Sequence, residues 1–269
     1  MGDNIDYSNY VLYIKTVQAS AFRVLIEALK EILTDCNLDF SNESLKVIAM
    51  DPSHSVLVHL KLESDKFEVF HCPEATTLGI NTLNFFKLVK ALQNNDTLTL
   101  YVEKENINQL CIKMDNGEAN RTTTYRMNLM DLNQENFQIP AVEFDAVITL
   151  PSSDFQKICR DMYNLGDNME IRSYGEQISF SCSGDIASQT TTIGQSDIGG
   201  LSVINENTSN IVQGIYALKY LVLFTKCTNL CNTIELFLKN DYPLIIRYNV
   251  ANLGSIKCCL ASQCSETCM

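Results

Sequence analysis

The residues best placed to do chemistry in this sequence are cations set in pairs. Arg23 and Lys30 stand seven residues apart, as do Lys219 and Lys226; Lys87 and Lys90 are three apart, as are Lys157 and Arg160. On a helix either spacing puts both members on one face. Such a face attracts phosphates without reading bases. One solvated helix with a basic face would argue little, but four pairs in an acidic chain form a pattern. Lys15, just ahead of the first pair, is expected to join them. The chain holds 20 Lys and Arg against 32 Asp and Glu, a formal net charge of −12. These nine cations would then form one positive surface on a protein that repels nucleic acid elsewhere.

Nucleophiles and soft ligands offer less. Among eleven cysteines, Cys36, Cys111, Cys159 and Cys182 sit in apolar runs, where reduced thiols behave as small hydrophobes. Cys258, Cys259, Cys264 and Cys268 cluster near the end of the sequence, yet no CxxC pair occurs. Cys258 and Cys259 also fall on an apparent strand, IKCCLA, which turns adjacent thiols to opposite faces. No metal or cofactor is expected. His71 adjoins Cys72, but strand neighbours diverge, and a thiolate nucleophile needs a base within reach. Phosphate-loop and GxGxxG fingerprints are missing, so the reading is not an enzyme. Helix-turn-helix, zinc-finger and aromatic RNA-binding motifs are missing too.

The elements that must position the cations can be read from periodicity. Helices are expected at about 20–34 (stripe Phe22, Leu25, Leu29, Ile32), 83–93 (Phe85, Leu88, Leu92), 152–165 (Phe155, Ile158, Met162) and 216–227 (Leu218, Leu221, Thr225). Ser152, Ser153 and Asp154 are N-cap candidates for the third. Between the helices lie alternating strands: Val56, Val58, Leu60 and Leu62 share one face, and Leu98, Leu100 and Val102 repeat the theme, as half-buried antiparallel sheet requires. The order helix, strands, helix, strands occurs twice, with helix starts about 63 and 64 residues apart, so the halves are expected to be structural copies. Residues 128–140 have no stripe and end in Pro140, as an extended connector would.

No run approaches the ~20 apolar residues of a membrane span. The first residues have no basic leader before an apolar run, and Asp6 stands where a myristoylation signal wants Ser or Thr. A soluble, intracellular protein without a membrane partner is expected.

From about Val11 to Ala261 the sequence resembles the eukaryotic-type sliding clamp, proliferating cell nuclear antigen. The matching blocks are LIEALKEIL (25–33), MDPSHSVLV (50–58), YRMNLMDL (125–132), FQKICRDMYNLGD (155–167), YALKYLVLFTK (216–226) and DYPLIIRYNVANLGSIK (241–257). The resemblance implies an α+β DNA-clamp (processivity) fold: two structurally repeated domains, each with two helices packed on antiparallel sheets, forming a homotrimeric ring. It implies an extension at 1–10, domains at 11–127 and 145–262, a connector at 128–144 and a cysteine-containing tail at 263–269. It assigns Lys15, Arg23, Lys30, Lys87, Lys90, Lys157, Arg160, Lys219 and Lys226 to a surface facing duplex DNA. It places a pocket for partner peptides at Met50, His54, Leu57, Phe137, Ile139, Pro243, Cys259 and Ala261. Ring closure is expected to pair an edge near 109–114 and Tyr125 with one near 190–195, involving Cys111, Tyr125, Met162 and Ile193.

The implied function is that of a DNA polymerase processivity factor that encircles DNA without reading sequence. It recruits polymerase, clamp loader and other replication and repair proteins, in the nucleus or a viral replication compartment. A hetero-oligomeric checkpoint or repair clamp and a clamp-derived scaffold that encloses no DNA stay open as alternatives. Departures mark a divergent member, viral or protist: Ser55 replaces an apolar pocket residue, Cys259 a tyrosine, Ser262 a proline, and Gly175 a lysine used for ubiquitin attachment.

Overall fold

The apolar stripes become the buried faces of four helices, each laid on antiparallel sheet. The computed structural model describes residues 6–133, 137, 142–195, 202–205 and 211–263, without the side chains of 203–205. Two compact units result, one of residues 1–49, 59–137 and 250–255, the other of 50–58, 138–249 and 256–269.

The first half of the chain supplies β1 (Tyr10–Thr16), α1 (Ala19–Ile32), β2 (Asp35–Phe40), β3 (Ser44–Met50), β4 (Val56–Glu63), β5 (Val69–His71), β6 (Thr76–Asn81), α2 (Thr82–Val89), β7 (Asp96–Glu103), β8 (Gln109–Asn116) and β9 (Arg121–Asn128). In the first unit β5-β1-β7-β8-β9 form one sheet, and β3-β2-β6 run side by side. Leu12, Ile14, Leu98, Leu100, Val102, Leu110 and Ile112 are 2% exposed or less. Phe22 of α1 meets Phe85 of α2 edge-on, ring centroids 6.2 Å apart, an arrangement that aromatic quadrupoles favour.

The second half supplies β10 (Ala146–Pro151), α3 (Ser152–Tyr163), β11 (Asn168–Tyr174), β12 (Gln177–Ser183), β13 (Ser188–Gly194), β14 (Ser202–Asn205), β15 (Val212–Ala217), α4 (Leu218–Phe224), β16 (Thr233–Leu238), β17 (Leu244–Val250) and β18 (Gly254–Leu260). In the second unit the orders are β14-β10-β16-β17-β18 and β13-β12-β11-β15, with β18 beside the start of β4. Phe155, Phe180, Leu221 and Phe224 are fully buried there.

The expected repeat is visible strand by strand. The order β5-β1-β7-β8-β9 has its counterpart in β14-β10-β16-β17-β18, and β3-β2-β6 in β12-β11-β15. It extends past the sheets. After β9 the chain bonds the Met130 amide to the Gly79 carbonyl on β6 (2.9 Å); after β18 the Gln263 amide bonds the Ile215 carbonyl on β15 (2.8 Å). Gly79 and Ile215 each stand three residues before their helix.

Helix ends differ from expectation for local reasons. Helix α2 stops at Val89, and the buried apolar positions are Phe85 and Val89, with Leu88 only half-buried. Asn81 caps it, accepting from the Asn84 amide at 2.9 Å. Helix α3 takes no side-chain cap from Ser152, Ser153 or Asp154, because it leaves β10 directly after Pro151. The Ser152 hydroxyl instead donates to the Cys231 carbonyl at 2.6 Å. Helix α4 begins two residues later than expected, since Tyr216 belongs to β15. It tightens into a 3-10 segment over Thr225–Leu230, where the Thr225 hydroxyl donates to Val222.

Residues Tyr7–Asn9 form a 3-10 turn capped by Asp6. The Tyr7 ring stacks on His71 (5.2 Å) and meets Tyr13 edge-on (5.4 Å), so this turn is packed onto the first unit.

Candidate nucleic-acid interface and partner site

In the first unit α1 packs against α2, and between them they carry four of the predicted cations. Arg23 and Lys30 are half-buried; Lys87, and Lys90 just beyond the end of α2, are exposed. The Lys30 ammonium pairs with Glu31 and lies 4.9 Å from the centre of the Phe86 ring, tying the two helices together. In the second unit α3 packs against α4. Lys157, Arg160, Lys219 and Lys226 are all exposed, and the Lys219 ammonium covers the Tyr220 ring at 4.6 Å. Only Glu27, Glu31, Asp154 and Asp161 oppose these eight cations on the same segments. The rest of the sequence therefore holds the whole net negative charge and four units more. The charges are segregated, which is what steering of a polyanion requires.

Lys15 does not belong to this set. Its strand neighbours Ile14 and Thr16 are buried at 2%. Strand alternation turns Lys15 to the other face, in register with Thr99, which in turn opposes Lys113 on β8. Lys15 contributes there to holding the Asp115 carboxyl low; burial pushes that group up, but Thr122, Lys113 and Lys15 outweigh it.

Met50, His54, Leu57, Pro243, Cys259 and Ala261 fall in the second unit and Phe137 in the first; Ile139 lies outside the described residues. Met50, Leu57, Pro243 and Cys259 are half-buried, while His54 and Ala261 are exposed. The turn that carries His54 and joins Met50 to Leu57 is built around Asp51. This 8% exposed carboxylate accepts from the amides of Ser53 (3.1 Å), Ser55 (2.8 Å) and Val56 (2.7 Å) and from the Ser53 hydroxyl. Burial pushes its pKa up, but the Ser53 hydroxyl and these amides outweigh burial and leave it lowered. His54 closes the turn at φ 55. The Ser53 hydroxyl lies 2.8 Å from the Tyr220 hydroxyl on α4. Ser53 and then Ser55 lower the Tyr220 phenol, so Ser55 takes part in a polar network at this position. Cys258 is buried and Cys259 half-buried, as alternation demands; burial pushes the Cys259 thiol up to about 11.

Among the described residues, two of the six strands that end the sheets matter here. β9 has β8 on one side only and β13 has β12 on one side only. Tyr125 and Ile193, both half-buried, stand on these edges. Cys111 and Met162 do not. Cys111 is 2% exposed on β8, an interior strand, and Met162 is fully enclosed by its own unit. Neither presents a surface to a second copy, because both side chains are taken up by the core.

Among the described residues no group of three or more His, Cys, Asp or Glu is placed to hold a metal ion; Cys264 and Cys268 lie outside them. His71 is stacked against Tyr7. The Cys72 thiol, pushed up by burial, donates to the Glu74 carbonyl.

Known proteins share this arrangement. Residues 11–137 match the family model described as proliferating cell nuclear antigen, N-terminal domain, and residues 138–263 match its C-terminal domain. A protein of Paramecium bursaria Chlorella virus 1 named "Probable DNA polymerase sliding clamp 1" is 34% identical over 261 residues, covering 96% of this chain and 98% of its own. Proliferating cell nuclear antigen of Chaetomium thermophilum is 32% identical over 253 residues, covering 93% and 96%. The crystal structure of proliferating cellular nuclear antigen from Entamoeba histolytica matches with a TM-score of 0.87 at 30% identity, covering 94% of this chain and 99% of that one.

Proposed function

The chain belongs to the proliferating cell nuclear antigen family, and we propose that this DNA sliding clamp closes into a ring of three copies around duplex DNA at a nuclear or viral replication site. The observation that carries ring closure is the repeat. β9 is the counterpart of β18, and β13 occupies beside β12 the place that β4 has beside β3. Inside the chain β18 is hydrogen-bonded to the start of β4. Among the described residues β9 and β13 are left with free edges of the same kind, so β9 of one copy can pair with β13 of the next. Such head-to-tail contacts make a ring when the rotation closes, and pairing removes two strand edges that would otherwise template aggregation. Tyr125 and Ile193 would meet at that seam.

Arg23, Lys30, Lys87, Lys90, Lys157, Arg160, Lys219 and Lys226 would face the duplex. Their targets are phosphates, which repeat along any sequence, so each contact can be exchanged for the next as the ring moves. Enclosure, rather than affinity, would keep the ring on DNA. The half-exposed Met50, Leu57, Pro243 and Cys259 on the second unit would receive an apolar peptide anchor from DNA polymerase and other enzymes, with His54 and Ala261 at its rim. No step of catalysis is assigned to the chain.

Light scattering on the reduced protein tests the assembly. A mass near three times 30.3 kDa is expected, falling to that of one chain in Ile193→Lys, which puts a charge on the β13 edge. A wild-type mass of one chain at every concentration would overturn the homotrimer.

A further inference from the structure

The surface on the second unit that would receive peptide anchors is not uniformly apolar. Val56 and Val58 are fully buried, so strand alternation turns Leu57, and Ser55 just ahead of β4, to the opposite side. There Ser55 is half-buried, as are Leu57 on β4 and Cys259 on the neighbouring β18. Tyr220 on α4, also half-buried, brings its hydroxyl to 2.8 Å from that of Ser53. The Ser53 and Ser55 hydroxyls lie 3.2 Å apart. A strip of three hydroxyls thus runs up to Leu57.

One buried carboxylate fixes the protons in this strip. Asp51 is held below its ordinary pKa, so at neutral pH it is ionised and can only accept. The Ser53 hydroxyl donates its single hydrogen to Asp51, and the Tyr220 hydroxyl is therefore the donor to Ser53. Tyr220 is left with a lone pair to offer. The contacts of the Ser55 hydroxyl are long, 3.2 Å to the Ser53 hydroxyl and 3.4 Å to the Ser53 carbonyl, so it can turn to a better partner. Ser53 and then Ser55 lower the Tyr220 phenol, against burial and with help from Lys219, which sets Ser55 and Tyr220 side by side.

We propose that Ser55 and Tyr220 make this site select a peptide anchor with a hydroxyl at its tip, tyrosine over phenylalanine, at the peptide site proposed above, on which this inference rests. A phenylalanine ring laid on Leu57 would strip water from the Ser55 and Tyr220 hydroxyls and return nothing, and a covered polar group without a partner is costly. A tyrosine ring buries the same apolar face, and its hydroxyl takes the place of that water. Its O–H donates to the Tyr220 oxygen, and its oxygen accepts from Ser55. A site that hydrogen-bonds a ligand hydroxyl rejects the analogue that lacks it. Ser55 and Tyr220 are half-buried rather than sealed, so the preference is modest, roughly two- to tenfold. Ser55 sets it, because Ser53 and Tyr220 are already engaged with each other.

The test selects random dodecapeptides, displayed on phage, against the full chain. An alanine scan of one enriched peptide finds its anchor, and the peptide is synthesised with Tyr and with Phe at that position. Fluorescence anisotropy then gives the affinity of both for the wild type, Ser55→Val, Ser55→Thr and Leu57→Glu, with circular dichroism confirming that each variant is folded. The Tyr peptide is expected to bind the wild type roughly two- to tenfold more tightly than the Phe peptide. Ser55→Val should erase that difference, Ser55→Thr should keep it by restoring a hydroxyl, and Leu57→Glu should weaken both peptides. Anchors that are not aromatic, equal affinities on the wild type, or an unchanged preference in Ser55→Val would overturn the selection, while a loss in Leu57→Glu would uphold the peptide site. If no peptide is enriched, or enriched peptides bind Leu57→Glu as they bind the wild type, the peptide site and the selection both fall.

Discussion

Asp51→Ala should open the turn between β3 and β4 while leaving the rest of its unit closed. The carboxylate takes four hydrogen bonds, from the amides of Ser53, Ser55 and Val56 and from the Ser53 hydroxyl. These donors are not equally sensitive. Ser53 is exposed and Ser55 half-buried, so water can replace their acceptor at a net cost of about 0.5–1.5 kcal/mol each. Val56 is fully buried, and its amide would be left unsatisfied, a penalty of about 1–3 kcal/mol. Together these give about 2–6 kcal/mol of local stability. At ~1.4 kcal/mol per factor of ten, amide exchange at Ser55 and Val56 should accelerate by roughly 30- to 20,000-fold.

Hydrogen exchange read by mass spectrometry measures this directly, with the Ile171 amide on β11 as an internal reference that should not change. Asp51→Asn sharpens the test. The amides of Ser55 and Val56 both go to Oδ1, and Ser53 goes to Oδ2, so the asparagine should keep the first two protected and release the third. The pH dependence has a definite sign. The folded pKa lies below the ordinary 3.8, so the stabilisation is complete above about pH 3.8 and is lost as pH falls through the lower folded value. The turn should persist through mild acid. Unchanged exchange at Val56 in Asp51→Ala would refute the reasoning, since nothing else in the turn is assigned to hold that amide.

Three further outcomes follow from the same geometry. Gly79→Ala would place a Cβ 2.2 Å from the Met130 carbonyl oxygen, so the start of the connector must move. Steric strain plus the lost Met130 bond should cost about 2–4 kcal/mol, seen as faster exchange at Met130. Removing residues 1–9 deletes the stacking of Tyr7 on His71 and Tyr13; at about 0.5–1.5 kcal/mol per ring pair, the melting temperature should fall by about 2–8 °C, read by calorimetry. The double variant Lys87→Gln, Lys90→Gln removes two cations from each of three copies, so it should weaken duplex binding and flatten its dependence on salt by up to about five in log–log slope, measured by fluorescence anisotropy.

Much of this molecule was legible in its sequence. Phe22, Leu25, Leu29 and Ile32 announced a buried helix face, and the doubled order of elements announced the repeat, because periodicity reports burial directly. What failed were features set by contacts distant in sequence. The Ser152 hydroxyl was drawn away from capping by the Cys231 carbonyl, 79 residues on. Lys15 was grouped with the helical cations by closeness in sequence, but strand alternation decided its face. Cys111 and Met162 were placed at the seam by the resemblance, and their burial was settled by neighbours distant in sequence. The docking of Tyr7 on His71 joins residues 64 positions apart, and no local pattern could have shown it. The turn around Asp51 was recognisable as Asp-Pro-Ser-His, yet its tie to Tyr220 depends on the fold.

The central claim is enclosure of DNA, and retention tests it most directly. The protein is loaded by a clamp loader onto a nicked circular plasmid, then separated by gel filtration in about 1 M salt, where the screening length is only ~3 Å. The account predicts that the protein stays with the circle and leaves when a single cut makes the plasmid linear. Release from the uncut circle by salt alone would contradict it, because contact with phosphates would then be all that held the protein in place.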